Sequence, residues 1–177
     1  TTPIRPEPTN FPPFGSLAVI QALRKQGHNV DFFNIDFHRY SEDQIEQWFQ
    51  EKKFDLVGIS AVVSTAYRYT KYLASLIKKL RPEATIVVGG NLAARAETLL
   101  RKCEIDFCVV GDGEKIICEL AHYLDTNPGT PLMMPENIRG LCFLDRDRFL
   151  FTGYAEKPAA AEISWPDFKI LEQDGSL

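Results

Sequence analysis

Four short apolar runs set the rhythm of this chain, within residues 29–36, 56–60, 85–91 and 107–113. Each is rich in β-branched or aromatic residues, and each breaks into small or polar ones. Between them, apolar positions recur at helical spacing. Leu17, Ile20 and Leu23 repeat on one face of residues 17–26, with Ser16 placed as a cap and Gly27 as a left-handed stop. Ser41-Glu42-Asp43-Gln44 reads as a capping box that opens a helix with Ile45, Trp48 and Phe49 on its buried side, ending near Lys53. Tyr69, Leu73, Leu76, Ile77 and Leu80 predict a helix that starts near Ser64 or Thr65 and closes at Pro82. Further helices are expected over residues 94–102 and, capped by Asp112, through Ile116, Ile117, Leu120, Ala121 and Leu124. Strands alternating with helices predict an α/β fold: a flavodoxin-like (Rossmann-like) parallel sheet with helices on both faces.

The two ends depart from that rhythm. The opening residues 1–13 carry five prolines and read as a loop over the domain surface. After Asn127-Pro128-Gly129 the composition turns to prolines and short strands, which divides the chain into residues 1–126 and an appendage of residues 127–177. The appendage begins with a C-terminal β-hairpin over residues 140–153, in which two apolar runs flank the charged turn Asp145-Arg146-Asp147-Arg148. Residues 158–177, around Ser164-Trp165-Pro166-Asp167-Phe168, lack a period and read as a linker or clasp. The usual first strand of a doubly wound sheet is not recognisable, because no apolar β-run precedes Leu17. Thr1-Thr2-Pro3-Ile4 reads as the segment just after such a strand in a longer parent; alternatively, a neighbouring chain or an unusual edge fills its place.

Composition narrows the function. With 177 residues, 45% hydrophobic and 25% charged, the chain can build one core and a small appendage. Lys and Arg number 20 against 24 Asp and Glu, with no basic run dense enough to follow a phosphate backbone, so nucleic acid is not an expected partner. The apolar stretches are too short for a membrane span and the start lacks a signal-type core, so a cytoplasmic address is expected. Cys103, Cys108, Cys118 and Cys142 sit singly in apolar contexts and read as buried free thiols rather than metal ligands. His28, His38 and His122 are scattered and form no ligand set.

The stretch with most to say is Thr85-Ile86-Val87-Val88-Gly89-Gly90-Asn91, where a β-branched run stops on two glycines and lets backbone approach a bulky ligand. Ligands of open α/β sheets bind outside the carboxyl ends of the strands. That edge comprises residues 60–65, 89–91 and 111–114. Duller readings stand beside the functional one: Gly89 and Gly90 as a tight turn with positive φ, Ser64 and Thr65 as helix caps, Glu114 as a dipole partner.

Pro12-Pro13-Phe14-Gly15, Gly27-His28-Asn29-Val30, Asp55-Leu56-Val57-Gly58-Ile59-Ser60, Val87-Val88-Gly89-Gly90 and Val109-Val110-Gly111-Asp112-Gly113-Glu114 succeed one another in order. Together, over residues 12–120, they resemble the cobalamin-binding domain that precedes the barrel of B12-dependent radical SAM enzymes. That group includes anaerobic Mg-protoporphyrin monomethyl ester cyclases and many C-methyltransferases. The tail around Trp165-Pro166-Asp167-Phe168 resembles the segment leading into the barrel. The resemblance implies base-off cobalamin over the strand ends, with its dimethylbenzimidazole tail along the sheet. The implied cofactor-binding residues are Ser60, Ser64, Thr65, Tyr67, Gly89, Gly90, Asn91, Gly111, Gly113 and Glu114, with Arg68 left open beside Tyr67.

Two departures matter. The Asp-x-His-x-x-Gly motif of cobalamin mutases is absent, since Asp36-Phe37-His38-Arg39-Tyr40-Ser41 ends on serine and comes after the wrong strand. No Cys-x-x-x-Cys-x-x-Cys is present, so S-adenosylmethionine and a 4Fe–4S cluster are expected only in a full-length parent. No residue is assigned a catalytic role, and the domain is not expected to be catalytic alone. The rivals are a nucleotide or other small-molecule domain, a receiver domain, and a docking module without ligand. Gly111-Asp112-Gly113-Glu114-Lys115-Ile116 lacks the third glycine of a dinucleotide fingerprint, and Val110-Gly111 offers no receiver-type lysine.

Overall fold

The structure, a computed structural model, describes residues 11–127, 135–159 and 165–176. The expectations for the chain before Phe11, for Pro128-Gly129 and for Ser164 lie outside the described residues. Five strands form one sheet in sequential order: β1 (Leu56–Ser60), β2 (Thr85–Gly89), β3 (Phe107–Val109), β4 (Leu141–Asp145) and β5 (Arg148–Phe151). The first three are parallel, with Leu56 opposite Thr85, Ser60 opposite Gly89, and Val87 opposite Phe107. The hairpin β4–β5 continues the same sheet antiparallel, Cys142 facing Cys108.

Alternate residues of each strand feed opposite faces, and helices cover both. One layer holds α3 (Glu42–Glu51), α4 (Tyr67–Leu80) and α5 (Ala96–Lys102). Their Ile45, Phe49, Leu73, Ile77 and Leu99 pack in one cluster with Ile59, Ile86, Val88 and Cys108. The other layer holds α1 (Phe14–Lys25) and α6 (Gly113–Thr126), whose Leu23, Ile116 and Leu120 meet Val87, Phe107, Val109 and Leu141. The fold is therefore the expected α/β arrangement, parallel at its centre with a hairpin on one side.

Several local expectations are corrected. Residues 29–34 form no strand, and the chain turns at once into α2 (Ile35–His38). Their side chains still alternate like a strand's, Val30 and Phe32 packing toward α1 while Phe33 and Ile35 join the opposite cluster. A ladder needs a neighbour, and among the described residues no strand lies beside this segment. For the same reason β1 borders the sheet, with Gly58 at its middle exposed. Ser16 is not a cap: α1 starts two residues earlier, behind Pro13, and the Ser16 hydroxyl is buried without a hydrogen-bond partner. Pro13 holds the cap position with φ −79°, so Ser16 falls inside the first turn rather than before it. The capping box at Ser41 forms as read, with Ser41 and Gln44 exchanging both bonds, and Gly27 adopts φ +90°.

The appendage folds back as a clasp. α7 (Lys169–Asp174) buries Ile170 and Leu171 against Leu17 and Ile20 of α1, and Phe168 meets Phe14 edge-on at 5.8 Å. Asp174 Oδ2 lies 2.9 Å from His38 Nε2, and Asn34 Nδ2 donates to Ser176 Oγ at 3.1 Å. His38 is thus held by a carboxylate of the clasp.

Asp106 joins strand to helix in a way that the sequence pattern does not show. Its Oδ2 accepts from the Ile86 N–H at 2.7 Å and lies 2.9 Å from Lys78 Nζ, whose ammonium also donates to the Ala84 carbonyl at 2.8 Å. Asp106→Ala leaves these donors without their acceptor and is expected to cost about 2 kcal/mol. The check is a lowered urea midpoint with an unchanged slope.

Candidate cofactor site at the carboxyl edge of the sheet

The three parallel strands end side by side, and the ends of β1 and β2 are tied to each other through backbone. The Ala61 N–H donates to the Gly89 carbonyl at 3.0 Å, and the Leu92 N–H donates to the Ala61 carbonyl at 3.0 Å. Gly90 makes this close approach possible. A Cβ there would stand 2.7 Å from the Ala61 carbonyl oxygen, and its φ of +85° is a glycine conformation. The structure thus gives Gly90 a backbone duty of its own, the tight-turn reading.

Gly89 and Gly111 are different. A Cβ built on either meets no atom within 4 Å, so both border open space above the strand ends. Gly111 also requires φ +109°. Gly113 faces inward: its Cβ would lie 3.3 Å from Val19 Cγ2, so it sets how closely α6 approaches α1.

Between β1 and α4 the chain makes a 3-10 turn over Ser64–Ala66, and after β2 a second over Asn91–Arg95. The helix expected from Ser64 therefore begins properly at Tyr67. Neither Ser64 nor Thr65 makes a capping hydrogen bond, since Val63 occupies the cap position and α4 starts behind Ala66. Both residues are exposed, as is Asn91, while Ser60 is half-buried. Asp112 holds the cap position of α6 without a side-chain cap bond, and Glu114 lies in the first turn, where the helix dipole favours a carboxylate.

Tyr67 stands apart from the edge set. Its ring packs against the core, and desolvation by burial, with the nearby Cys103 thiol, raises its pKa. Tyr69 is half-buried and pushed up to about 12, chiefly by burial. Cys103, Cys108 and Cys142 are buried and free; burial raises the Cys108 thiol and pushes Cys142 up to about 11, which leaves them protonated and unreactive. Among the described residues, no group of three or more His, Cys, Asp or Glu side chains is arranged to hold a metal ion.

One site feature escaped the sequence. Val62, between the pinned Ala61 and half-buried Val63, is 47% exposed on the loop that leaves β1. Ala61-Val62-Val63 falls within the edge segment 60–65, and nothing in the pattern sets Val62 apart. A separate concavity of about 210 Å³ lies beside α3, lined by Phe33, Tyr40, Trp48 and polar residues of that helix, and takes in none of the strand ends.

The family model described as the B12 binding domain matches residues 8–121, well over half of the chain. The chain belongs to the B12-binding domain family. Cobalamin is accordingly the cofactor of this fold, and the match spans all three strand ends described above. An anaerobic magnesium-protoporphyrin IX monomethyl ester cyclase from Rubrivivax gelatinosus is 27% identical over 169 residues, covering 92% of this chain and 30% of the cyclase. A cytidylyl-2-hydroxyethylphosphonate methyltransferase from Streptomyces wedmorensis is 25% identical over 156 residues, covering 76% of this chain and 28% of its own length. This B12-binding domain thus spans under a third of the curated relatives it matches.

Among solved structures, the radical S-adenosylmethionine methyltransferase TsrM from Kitasatospora setae shares the fold. Its cobalamin- and 4Fe–4S-bound form superposes with a TM-score of 0.71 at 21% identity, covering 92% of this chain and 29% of TsrM. The form with tryptophan and a SAM analogue gives 0.70 at 23% identity, over 82% and 28%. No helix among the described residues is long and apolar enough to cross a membrane.

The two adjacent glycines predict opposite outcomes. Gly90→Ala is expected to lower stability by about 2 kcal/mol, from positive-φ strain and the encounter with the Ala61 carbonyl. Gly89→Leu, projecting into open space, should leave the thermal midpoint within a few degrees of the parent. Thermal unfolding by circular dichroism checks both.

Proposed function

We propose that this domain holds cobalamin in the base-off form at the strand ends 60–65, 89–91 and 111–114, and presents it to the radical SAM barrel of a parent enzyme. The observation carrying the reading is the open space bordered by Gly89 and Gly111, on the edge where the family match and the physics of open sheets coincide. The residues fit the group. An extended flat ligand needs bare backbone beneath it and hydroxyl or amide partners around it, and the edge offers two bare glycines, Ser60, Ser64, Thr65 and Asn91.

In this reading the chain's own groups bind and orient. Ser60, Ser64 and Thr65 hydrogen-bond the displaced tail or the amide side chains of the corrin, and Asn91 offers both a donor and an acceptor. Ser64 and Thr65 have no capping duty that would compete. Glu114 and Gly113 contribute through the start of α6 rather than by direct contact, and Tyr67 through the packing of α4. When bound, cobalamin supplies one-carbon transfer or redox chemistry at cobalt. The parent reaction is of methyltransferase or oxidative cyclase type, as the names of the matched relatives support. Residues after 126, with the hairpin and the clasp, connect this domain to the barrel, and the enzyme works in the cytoplasm.

Hydroxocobalamin should bind the purified chain and travel with it through gel filtration, with an absorbance spectrum lacking dimethylbenzimidazole coordination. Gly89→Trp should lose that co-elution while keeping the far-UV spectrum of the parent. A thermal shift with nucleotides and none with cobalamin would replace this reading by a nucleotide-binding one.

A further inference from the structure

We infer that the C-terminal clasp is held by a proton-dependent latch, in which the charged His38 imidazolium retains Asp174 of α7 and lets the clasp go as the ring loses its proton. The latch lies away from the strand ends and does not depend on the cobalamin reading.

Little else holds α7. It has six residues, too few to stand as a helix alone, and it buries two side chains, Ile170 and Leu171, against α1. Its carboxyl end is polar and nearly closed to water. The His38 and Asp174 side chains keep 21% and 10% of their surface exposed, with Nε2 2.9 Å from Oδ2. Tyr40 stacks on the imidazole at 5.1 Å, Phe37 meets it edge-on at 5.1 Å, and a Cβ on Gly175 would stand 3.9 Å from its Cε1. The ring is thus boxed in against the clasp.

The neighbours fix the direction of the hydrogen bonds. The Ser176 hydroxyl donates to Asp174 Oδ2 and accepts from Asn34 Nδ2 at 3.1 Å, so its 3.2 Å contact with His38 Nε2 requires the ring to donate. Nε2–H therefore faces two acceptors in either charge state. The second ring proton adds charge rather than another bond to the clasp. With it, Asp174 has a cation; without it, a carboxylate stays nearly buried beside a neutral ring, which is costly. Among the described residues Asp174 forms no other ion pair. The remaining charges around the ring do not replace it: Arg39 is turned to Asp36 at 3.1 Å, and Glu172 is exposed. The Tyr40 hydroxyl stays neutral, pushed up first by burial and then by the Asp174 carboxylate.

The ion pair exists where the imidazole is charged and the carboxylate ionised, and it is lost as pH rises through the range in which histidine changes charge, about 5 to 8. At the upper end of that range the clasp detaches more readily from α1 and from residues 34–40. Under the reading above, the same step loosens the tether toward the barrel.

Hydrogen–deuterium exchange of the whole chain tests the latch, with amide protection of residues 169–176 corrected for intrinsic exchange and referred to α4. From about pH 6 to about pH 8 the parent's protection there should fall about fivefold, the gap between a charge-assisted and a neutral hydrogen bond. His38→Gln keeps an N–H donor without the charge, and Asp174→Asn keeps the shape without the carboxylate. Both should hold low protection that does not change with pH. A parent whose protection is the same at both pH values, or a fall that persists in either variant, overturns the assignment. If His38→Gln does not fold, Asp174→Asn, altered only at the end of the clasp, decides alone.

Discussion

The contact between Gly90 and the Ala61 carbonyl organises everything at the carboxyl edge of the sheet. Two strands leaving a parallel sheet normally diverge into independent loops. Here the backbone of one loop lies directly on the backbone of the other, closer than any side chain permits, and two hydrogen bonds lock the pair. The loop after β1 thereby becomes an extension of the sheet rather than a flexible connection. Ser64, Thr65 and Val62 inherit fixed positions from it, and Gly89 keeps its open side. A residue without a side chain thus shapes the site through backbone alone.

Much of this architecture is legible in the amino-acid pattern, because the governing interactions are local. The capping box at Ser41, the left-handed stop at Gly27 and the apolar spacing of α4 and α6 each depend on residues within a turn or two of one another. The glycine-ended run at β2 marks the strand's end because two glycines interrupt a β-branched run there. The elements that eluded the pattern are those decided across the fold. Residues 29–34 carry the composition of a strand, yet a strand is a relation between two segments, and apolar side chains alone do not supply the partner. Ser16 looks like a cap until Pro13 is seen to start the helix first. The hairpin's place beside β3 depends on Cys142 meeting Cys108, a pairing that no sequence spacing announces.

The candidate site was legible to a similar degree, and for the same reason. Its position comes from topology, since parallel strands direct their carboxyl ends to one side. The division of labour among its glycines does not. Gly89, Gly90, Gly111 and Gly113 look equivalent in sequence, but two border open space, one carries a loop–loop contact and one sets a helix–helix distance. Tyr67 lies near the edge in sequence, while its ring packs into the core cluster of α3, α4 and α5. Family membership names the cofactor; the surroundings of each residue decide what it does beside it.

Among the described residues no strand pairs with the outer side of β1, and that border has a consequence of a different kind. Alternate backbone groups of a parallel strand point to opposite neighbours. Ala61 donates to Gly89 and Asp55 accepts from Thr85 on the β2 side, so Leu56 and Gly58 direct theirs away from the sheet. Such a row is a template for any extended peptide, and proteins usually shield it with charge, proline or a covering segment. Gly58, flat and uncharged, supplies none of these. Wherever that side is left unpaired it invites self-association along β1, and a lysine or proline placed there would act as a gatekeeper on solubility.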